Sequence, residues 1–183
     1  MARRTIGRKE EHFMDVMEAI FSRRSIRKYL SGAVSDEAIE LLLRAAMAAP
    51  SAGNEQPWHF IVIRDRGILG KVPSFHPYSR MIEEVSVAIL VCGDLDKEKY
   101  EGCWMIDCAA ATENLLLAAQ AQGLGAVWLG IYPETERIRG MRSLVGLPEN
   151  VIPLCIVPLG VPGERKGAVD RFDPGRVRYD RWG

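Results

Sequence analysis

Apolar residues fall at Phe13, Val16, Met17, Ile20 and Phe21, a three- and four-residue spacing that predicts a helix over Phe13–Ser22 with one apolar face. The rhythm breaks from Arg23 to Val34, where Ser31-Gly32 punctuates a loop. A second helix is expected from an N-cap at Ser35, with Asp36 and Glu37 in its first turn favouring the helix dipole, through to Ala49. Pro50 stops it. Trp58–Arg64 is short, aromatic and β-branched and predicts a strand. Ser86–Cys92 is almost continuously apolar, the pattern of a strand covered on both faces. Between them, Ile68–Val72 and Tyr78–Glu84 predict short helices around a Pro-interrupted loop, and Asp94–Lys99 follows as a polar connector.

The longest helix is predicted over Cys103–Gln122, about 30 Å at roughly 1.5 Å per residue. Its middle, with Ala109, Ala110, Ala111, Leu115, Leu116, Leu117, Ala118 and Ala119, is apolar almost all the way round. Such a helix needs cover on several sides, from its own sheet and from a second subunit. Gly123 is expected to end it as a left-handed cap. A strand at Ala126–Leu129, a helix at Pro133–Val145 and a last strand at Val151–Leu159 complete the pattern. Residues 160–183 are rich in Pro, Gly and charge yet carry Tyr179 and Trp182, which suggests an extended tail docking on another surface. Residues 1–11 are expected to be a flexible start. Helices alternating with apolar strands make 1–183 a single α/β or α+β domain.

Composition removes several partners. The 24 basic and 24 acidic residues cancel, so bulk charge gives no reason to expect nucleic acid or an anionic membrane. No run approaches the roughly 18 apolar residues of a membrane span, and the basic start lacks the apolar core of a secretory signal. Cys92, Cys103, Cys108 and Cys155 form no close CxxC pair. They read as small buried thiols in a reducing cytoplasm rather than as metal ligands or disulfides.

Three segments could carry chemistry. Pro50-Ser51-Ala52-Gly53-Asn54-Glu55-Gln56-Pro57-Trp58 lies between a helix and a strand and offers neutral donors and acceptors suited to a flat polar ligand. By itself it reads first as a connector whose polar groups satisfy its own backbone. Arg23-Arg24-Ser25-Ile26-Arg27 offers guanidinium forks matched to phosphate oxygens, or a solvated basic loop. Gly123-Leu124-Gly125-Ala126-Val127-Trp128-Leu129-Gly130 closes a helix and opens a strand, the reverse of a dinucleotide fingerprint. His12, His59 and His76 are scattered, without obvious partners. With no acid–base or nucleophilic team in view, an enzyme built on this chain would take its reactive group from a cofactor.

Taken in order, the segments resemble the FMN-dependent nitroreductase family. The resemblance runs through AIFSRRSIRKY (19–29), AAPSAGNEQPWHFIVI (48–63), DCAAATENLLLAAQAQGLGAVWLG (107–130), PLGVPGERK (158–166) and DRFDPGRVRYDRW (170–182). It implies an α+β fold with a central, mostly antiparallel sheet flanked by helices. It also implies an intertwined homodimer holding FMN at the subunit interface. Arg23, Arg24 and Ser25 would hold the phosphate and ribityl chain, and Arg27 the pyrimidine end of the ring. Pro50, Ser51, Ala52 and Asn54 would come from the other subunit. Leu129, Gly130 and Ile131 would run along the flavin edge, with a backbone N–H near Gly130 facing N5. Arg171 would complete the phosphate clamp. The family often has lysine two positions before that arginine; Val169 stands here, and Lys166 is the candidate substitute.

The implied activity is ping-pong transfer of hydride from NADH or NADPH through the flavin to a small electron-poor acceptor, a nitroaromatic or a quinone. A non-catalytic flavin-binding or redox-sensing protein of the same fold is the alternative. Relatives that dehalogenate iodotyrosine or fragment the flavin need lids or insertions absent from this sequence.

Overall fold

The computed structural model describes residues 14–182. The expected flexible start, the Phe13 end of the first helix and His12 lie outside the described residues. Five α-helices are described: α1 (Val16–Ser22), α2 (Asp36–Met47), α3 (Arg66–Leu69), α4 (Trp104–Ala121) and α5 (Thr135–Val145). They surround a six-stranded sheet of β1 (Tyr29–Leu30), β2 (Trp58–Ile63), β3 (Val87–Asp94), β4 (Gly125–Ala126), β5 (Leu129–Gly130) and β6 (Val151–Pro162). All ladders are antiparallel, in the order β1-β6-β3-β2. One edge of β6 takes β5 at Cys155–Ile156, β4 at Leu159–Gly160 and β1 at Val161–Pro162. The architecture is α+β.

β3 shows why the sheet sits inside. Alternate side chains point to opposite faces. Val87, Ile89 and Val91 pack with Leu42 of α2 and Leu115 of α4. Ala88, Leu90 and Cys92 pack on the other face with Leu69, Ile82 and Met141. All six are buried, which is what the unbroken apolar run requires. Burying a large aliphatic side chain contributes about 1.5–3 kcal/mol, so helix cover on both faces is strongly specified.

Helix ends follow their local chemistry. The Ser35 hydroxyl accepts from the Ala38 N–H at 3.2 Å to start α2. After α4, Gly123 adopts φ +70°. Leu124 N–H then returns to Ala119 C=O and Gly123 N–H to Gln120 C=O, both at 2.9 Å, a Schellman closure.

Several expectations need correction. The strand expected at Ala126–Leu129 is two short pairings on β6, β4 and β5, interrupted at Val127–Trp128. The loop from Arg23 to Val34 contains β1, whose two residues are too few to leave a periodic signal. Ile68–Val72 is α3 followed by a 3₁₀ turn at Val72–Ser74, and Tyr78–Glu84 is 3₁₀ at Arg80–Glu83. β6 also runs on through Gly160–Pro162.

Candidate functional site

Asp15 caps α1, its Oδ1 accepting from Met17 N–H at 2.8 Å. The chain leaves the helix extended at Arg23, so Arg23 and Arg24 emerge side by side. Arg23 Nε lies 3.2 Å from the Glu113 carboxylate. Arg24 donates Nε to Gly167 C=O at 2.9 Å and Nη1 to Arg23 C=O at 2.6 Å. Its Nη2 is buried and has no partner among the described residues. Arg23, Arg24 and Arg171 line one cleft of about 320 Å³, with Val169 in its wall. Arg24 and Lys166 share the adjoining cleft of about 280 Å³. There Lys166 Nζ donates to Ser25 C=O at 2.6 Å and pairs with Glu164 at 3.1 Å.

The Arg27 backbone N–H donates to Glu164 at 2.6 Å. That bond, and then Lys166, hold the Glu164 carboxyl below its usual range. The Arg27 side chain is exposed and makes no ion pair or hydrogen bond among the described residues. A buried donor left unmade is costly; the desolvated Arg24 nitrogen, between clefts lined by Arg23, Arg171, Arg165 and Lys166, is suited to an anion.

The loop after α2 is arranged differently. Gly53, Asn54 and Gln56 all take positive φ, +51°, +55° and +47°. The Ser51 hydroxyl accepts from Gln56 N–H at 3.1 Å, and Asn54 Oδ1 accepts from Gln56 Nε2 at 3.0 Å. The polar side chains therefore hold the loop's own shape, the connector role weighed for the segment. Ala52 N–H donates to Asp107 Oδ1 at 3.0 Å. The other Asp107 oxygen is buried and has no partner among the described residues. Burial raises the Asp107 pKa against the Ala52 bond, and neighbouring Glu55 adds to the rise. Pro50, Ser51 and Ala52 line a cleft of about 320 Å³ with Cys103, Ile106 and Ala110. Asn54 is exposed and does not line it.

At β5 the Leu129 and Ile131 side chains are buried in the core, leaving only backbone to meet a ligand. Ile131 N–H donates to Leu154 C=O at 2.9 Å, and Gly130 faces Cys155 on β6. By the alternation of an antiparallel ladder, the Gly130 N–H and C=O point away from β6, toward the free edge. The carbonyl is taken by His76 Nε2 and by Arg137 Nη1, each at 2.9 Å. A Cβ built on Gly130 would meet nothing nearer than Trp128 Nε1 at 3.9 Å. The chain itself does not require glycine here; a ligand lying flat on the edge would.

His76 was invisible as a site neighbour in the sequence, because it lies 54 positions from its partner in a Pro-interrupted loop without periodicity. It is buried. Burial, and then the Arg137 charge, hold its pKa below the ordinary histidine value. His59 instead sits on the surface, 3.1 Å from Asp94.

Within one chain these groups do not all meet. The Ser25–Ala126 bridge and the Ile26 N–H to Ala126 C=O bond at 3.0 Å tie the arginine loop to β4, next to β5. That loop shares its cleft with Gln120 and Gly123, at the end of α4. Pro50–Ala52 share theirs with Cys103–Ala110, at its start. From Ile106 to Gln120 the helix rises roughly 21 Å. An apolar groove of about 370 Å³ lies between, walled by Val16, Ala19, Ala45, Leu117 and Ala118. Phe21 and Ile106 stand 64% and 69% exposed, more apolar surface than an isolated chain needs.

The profile of the nitroreductase family matches residues 20–86 and 77–161. A Methanothermobacter thermautotrophicus protein, provisionally named NADH dehydrogenase/NAD(P)H nitroreductase, is 52% identical over 169 residues, 92% of this chain and 88% of that protein. The crystal structure of a Parabacteroides distasonis protein with the same provisional name superposes with a TM-score of 0.88 at 40% identity, covering 91% and 98% of the two chains. A Desulfovibrio desulfuricans structure, described provisionally as a nitroreductase in complex with FMN, superposes at 0.79 with 34% identity, covering 92% and 98%.

Proposed function

The chain belongs to the nitroreductase family, and from that premise we propose that it is an FMN-dependent NAD(P)H oxidoreductase reducing nitroaromatics, quinones or similar electron-poor acceptors. The observation that carries the reading is the bare edge at Gly130: a backbone N–H turned away from β6, with nothing nearer than 3.9 Å to where a Cβ would stand. A flat ring can approach only where no side chain intervenes. The partnerless Arg24 Nη2 fits the cofactor's phosphate in the same way.

Bound FMN supplies hydride uptake from NADH or NADPH and delivery to the acceptor. This chain's residues do the rest. Arg23, Arg24, Arg171 and Lys166 hold the phosphate, and Ser25 the ribityl side. Gly130 N–H donates toward N5, while Leu129 and Ile131 fix the edge by burying their side chains. Arg27, exposed and without an ion pair among the described residues, would lie at the pyrimidine end of the ring, where its charge would favour the reduced, more negative flavin. Pro50, Ser51, Ala52 and Asn54 enter from a second copy, because a span of roughly 21 Å separates them from the arginine loop of their own chain. The second copy covers the α1–α4 groove and receives the tail expected at 160–183, whose first residues, Gly160–Pro162, belong to β6, forming a homodimer. Chains 1–183 act as single domains in the cytoplasm, and catalysis comes from stacking and orientation rather than from a protein acid.

An anaerobic visible spectrum tests this. The purified protein should carry a flavin spectrum that bleaches with NADH or NADPH and recovers on adding menadione or nitrofurazone. A flavin spectrum indifferent to both nicotinamides would leave a carrier or sensor; no flavin binding at all would remove the reading.

A further inference from the structure

We infer that His76 is a positioning residue for the flavin edge: with Arg137 it pins the Gly130 carbonyl, and so aims the Gly130 N–H at the ring. The inference rests on the FMN reading above, and adds to it a pair of residues that touch no ligand.

Gly130 is a weak place to fix a backbone direction. It has no side chain to pack, it lies in a two-residue strand, and its own N–H and C=O take no part in the ladder with β6. A glycine so placed would swing about φ and ψ. Two donors remove that freedom. His76 Nε2 and Arg137 Nη1 both end 2.9 Å from the one carbonyl oxygen. They arrive from separate elements, His76 from the loop between α3 and β3, and Arg137 from the first turns of α5. Ile131 N–H, bonded to Leu154 C=O at 2.9 Å, fixes the far side of the same peptide.

The donors are themselves held. His76 is 1% exposed, and the Ser79 hydroxyl donates to its backbone carbonyl at 2.7 Å. Ser79 N–H reaches the same oxygen at 3.1 Å. The Arg137 guanidinium lies over the Tyr78 ring, 5.6 Å from its centroid. The bond also fixes the tautomer. A carbonyl can only accept, so Nε2 carries the proton, and Nδ1 is the buried nitrogen without a partner. A neutral ring suits both the low-dielectric site and the adjacent guanidinium, consistent with the lowered His76 pKa. The Pro73–Tyr78 loop thereby gains a role: it carries one donor and the aromatic surface that steadies the other.

The test measures N5 directly. Sulfite adds reversibly to oxidised flavin, its sulfur lone pair forming the S–N5 bond while a ring electron pair moves to N1. No other reactant is consumed, and a donor aimed at N5 favours the adduct. His76→Leu removes the donor. His76→Gln keeps an N–H at nearly the Nε2 position. Arg137→Met, on the half-buried face of α5, removes the second donor where His76→Leu fails to fold.

Each protein would be loaded with FMN and titrated with sulfite by visible absorbance, with apoprotein melting as the control for packing. The expected result is sulfite binding about tenfold weaker in His76→Leu, and weaker in Arg137→Met, the scale of one hydrogen bond. His76→Gln should restore wild-type affinity whatever its melting temperature. Unchanged sulfite affinity in FMN-loaded His76→Leu or Arg137→Met would overturn the inference and leave the FMN reading standing. So would a loss in His76→Gln equal to that in His76→Leu. A wild-type protein that takes up no FMN overturns both.

Discussion

Replacing Arg24 by methionine isolates the phosphate contact from the rest of the site. The guanidinium makes two bonds within the chain, to the carbonyls of Gly167 and Arg23, and keeps Nη2 buried and free. Methionine keeps most of the stem's apolar contact and removes all three donors. Within the apoprotein the loss is modest, about 1 kcal/mol, because both bonded carbonyls can turn to water and the orphaned nitrogen disappears. Against a phosphate the loss is larger. A hydrogen bond to a charged group contributes about 1.5–3 kcal/mol, which at about 1.4 kcal/mol per factor of ten predicts FMN binding about ten- to about 150-fold weaker. Flavin fluorescence quenching measures the Kd, and riboflavin supplies the control because it lacks the phosphate. Arg24→Met should weaken FMN binding and leave riboflavin unchanged. Equal losses for both ligands, or no loss for FMN, would refute the phosphate assignment. Arg23→Met should fall at the lower end, since Glu113 already neutralises part of its charge.

Three further substitutions probe other parts of the account. Gly130→Val should leave the apoprotein's urea midpoint unchanged or higher, since the Cβ meets no atom closer than 3.9 Å, yet abolish FMN binding; retained FMN would remove Gly130 from the site. Gly93→Ala should cost about 1–3 kcal/mol by overpacking, because its Cβ would fall inside the Trp104 indole, and an unchanged denaturation midpoint would contradict that packing. Asp107→Asn bears on pH. A carboxyl whose pKa is raised on folding contributes stability that is full below its unfolded value, near about 3.9, and is lost as pH rises through the folded value. The variant should flatten that fall in urea unfolding series across pH, and an unaltered pH profile would show that Asp107 does not titrate as the structure implies.

The strongly patterned elements were legible in advance. The all-buried β3, the Ser35-capped α2 and the Gly123-terminated α4 each carry a local physical signal that tertiary structure reinforces. β1, β4 and β5 were not, because two-residue strands exist only through their long-range partner β6. The arginine loop and the segment ending at Gly130 were singled out by residue type and given roles by the family resemblance, and the structure adds the buried Nη2 and the uncrowded Cβ position that make chemical sense of them. Asn54 Oδ1 and the Ser51 hydroxyl each also accept a bond from Gln56 within their own loop, a shape-holding role that a motif does not reveal. His76 and Asp107 escaped because their partners, Gly130 and Ala52, are distant in sequence.

The most direct test is FMN stoichiometry in a mixed dimer. One chain would carry Arg24→Met and a differently tagged chain Ala52→Trp, each lacking a high-affinity FMN site as a homodimer. If each site joins the arginine loop of one chain to the Pro50–Asn54 loop of the other, the purified heterodimer combines both defects in one site and restores a single high-affinity FMN site. A heterodimer without any restored site would place both loops on one FMN within the same chain, and contradict the account.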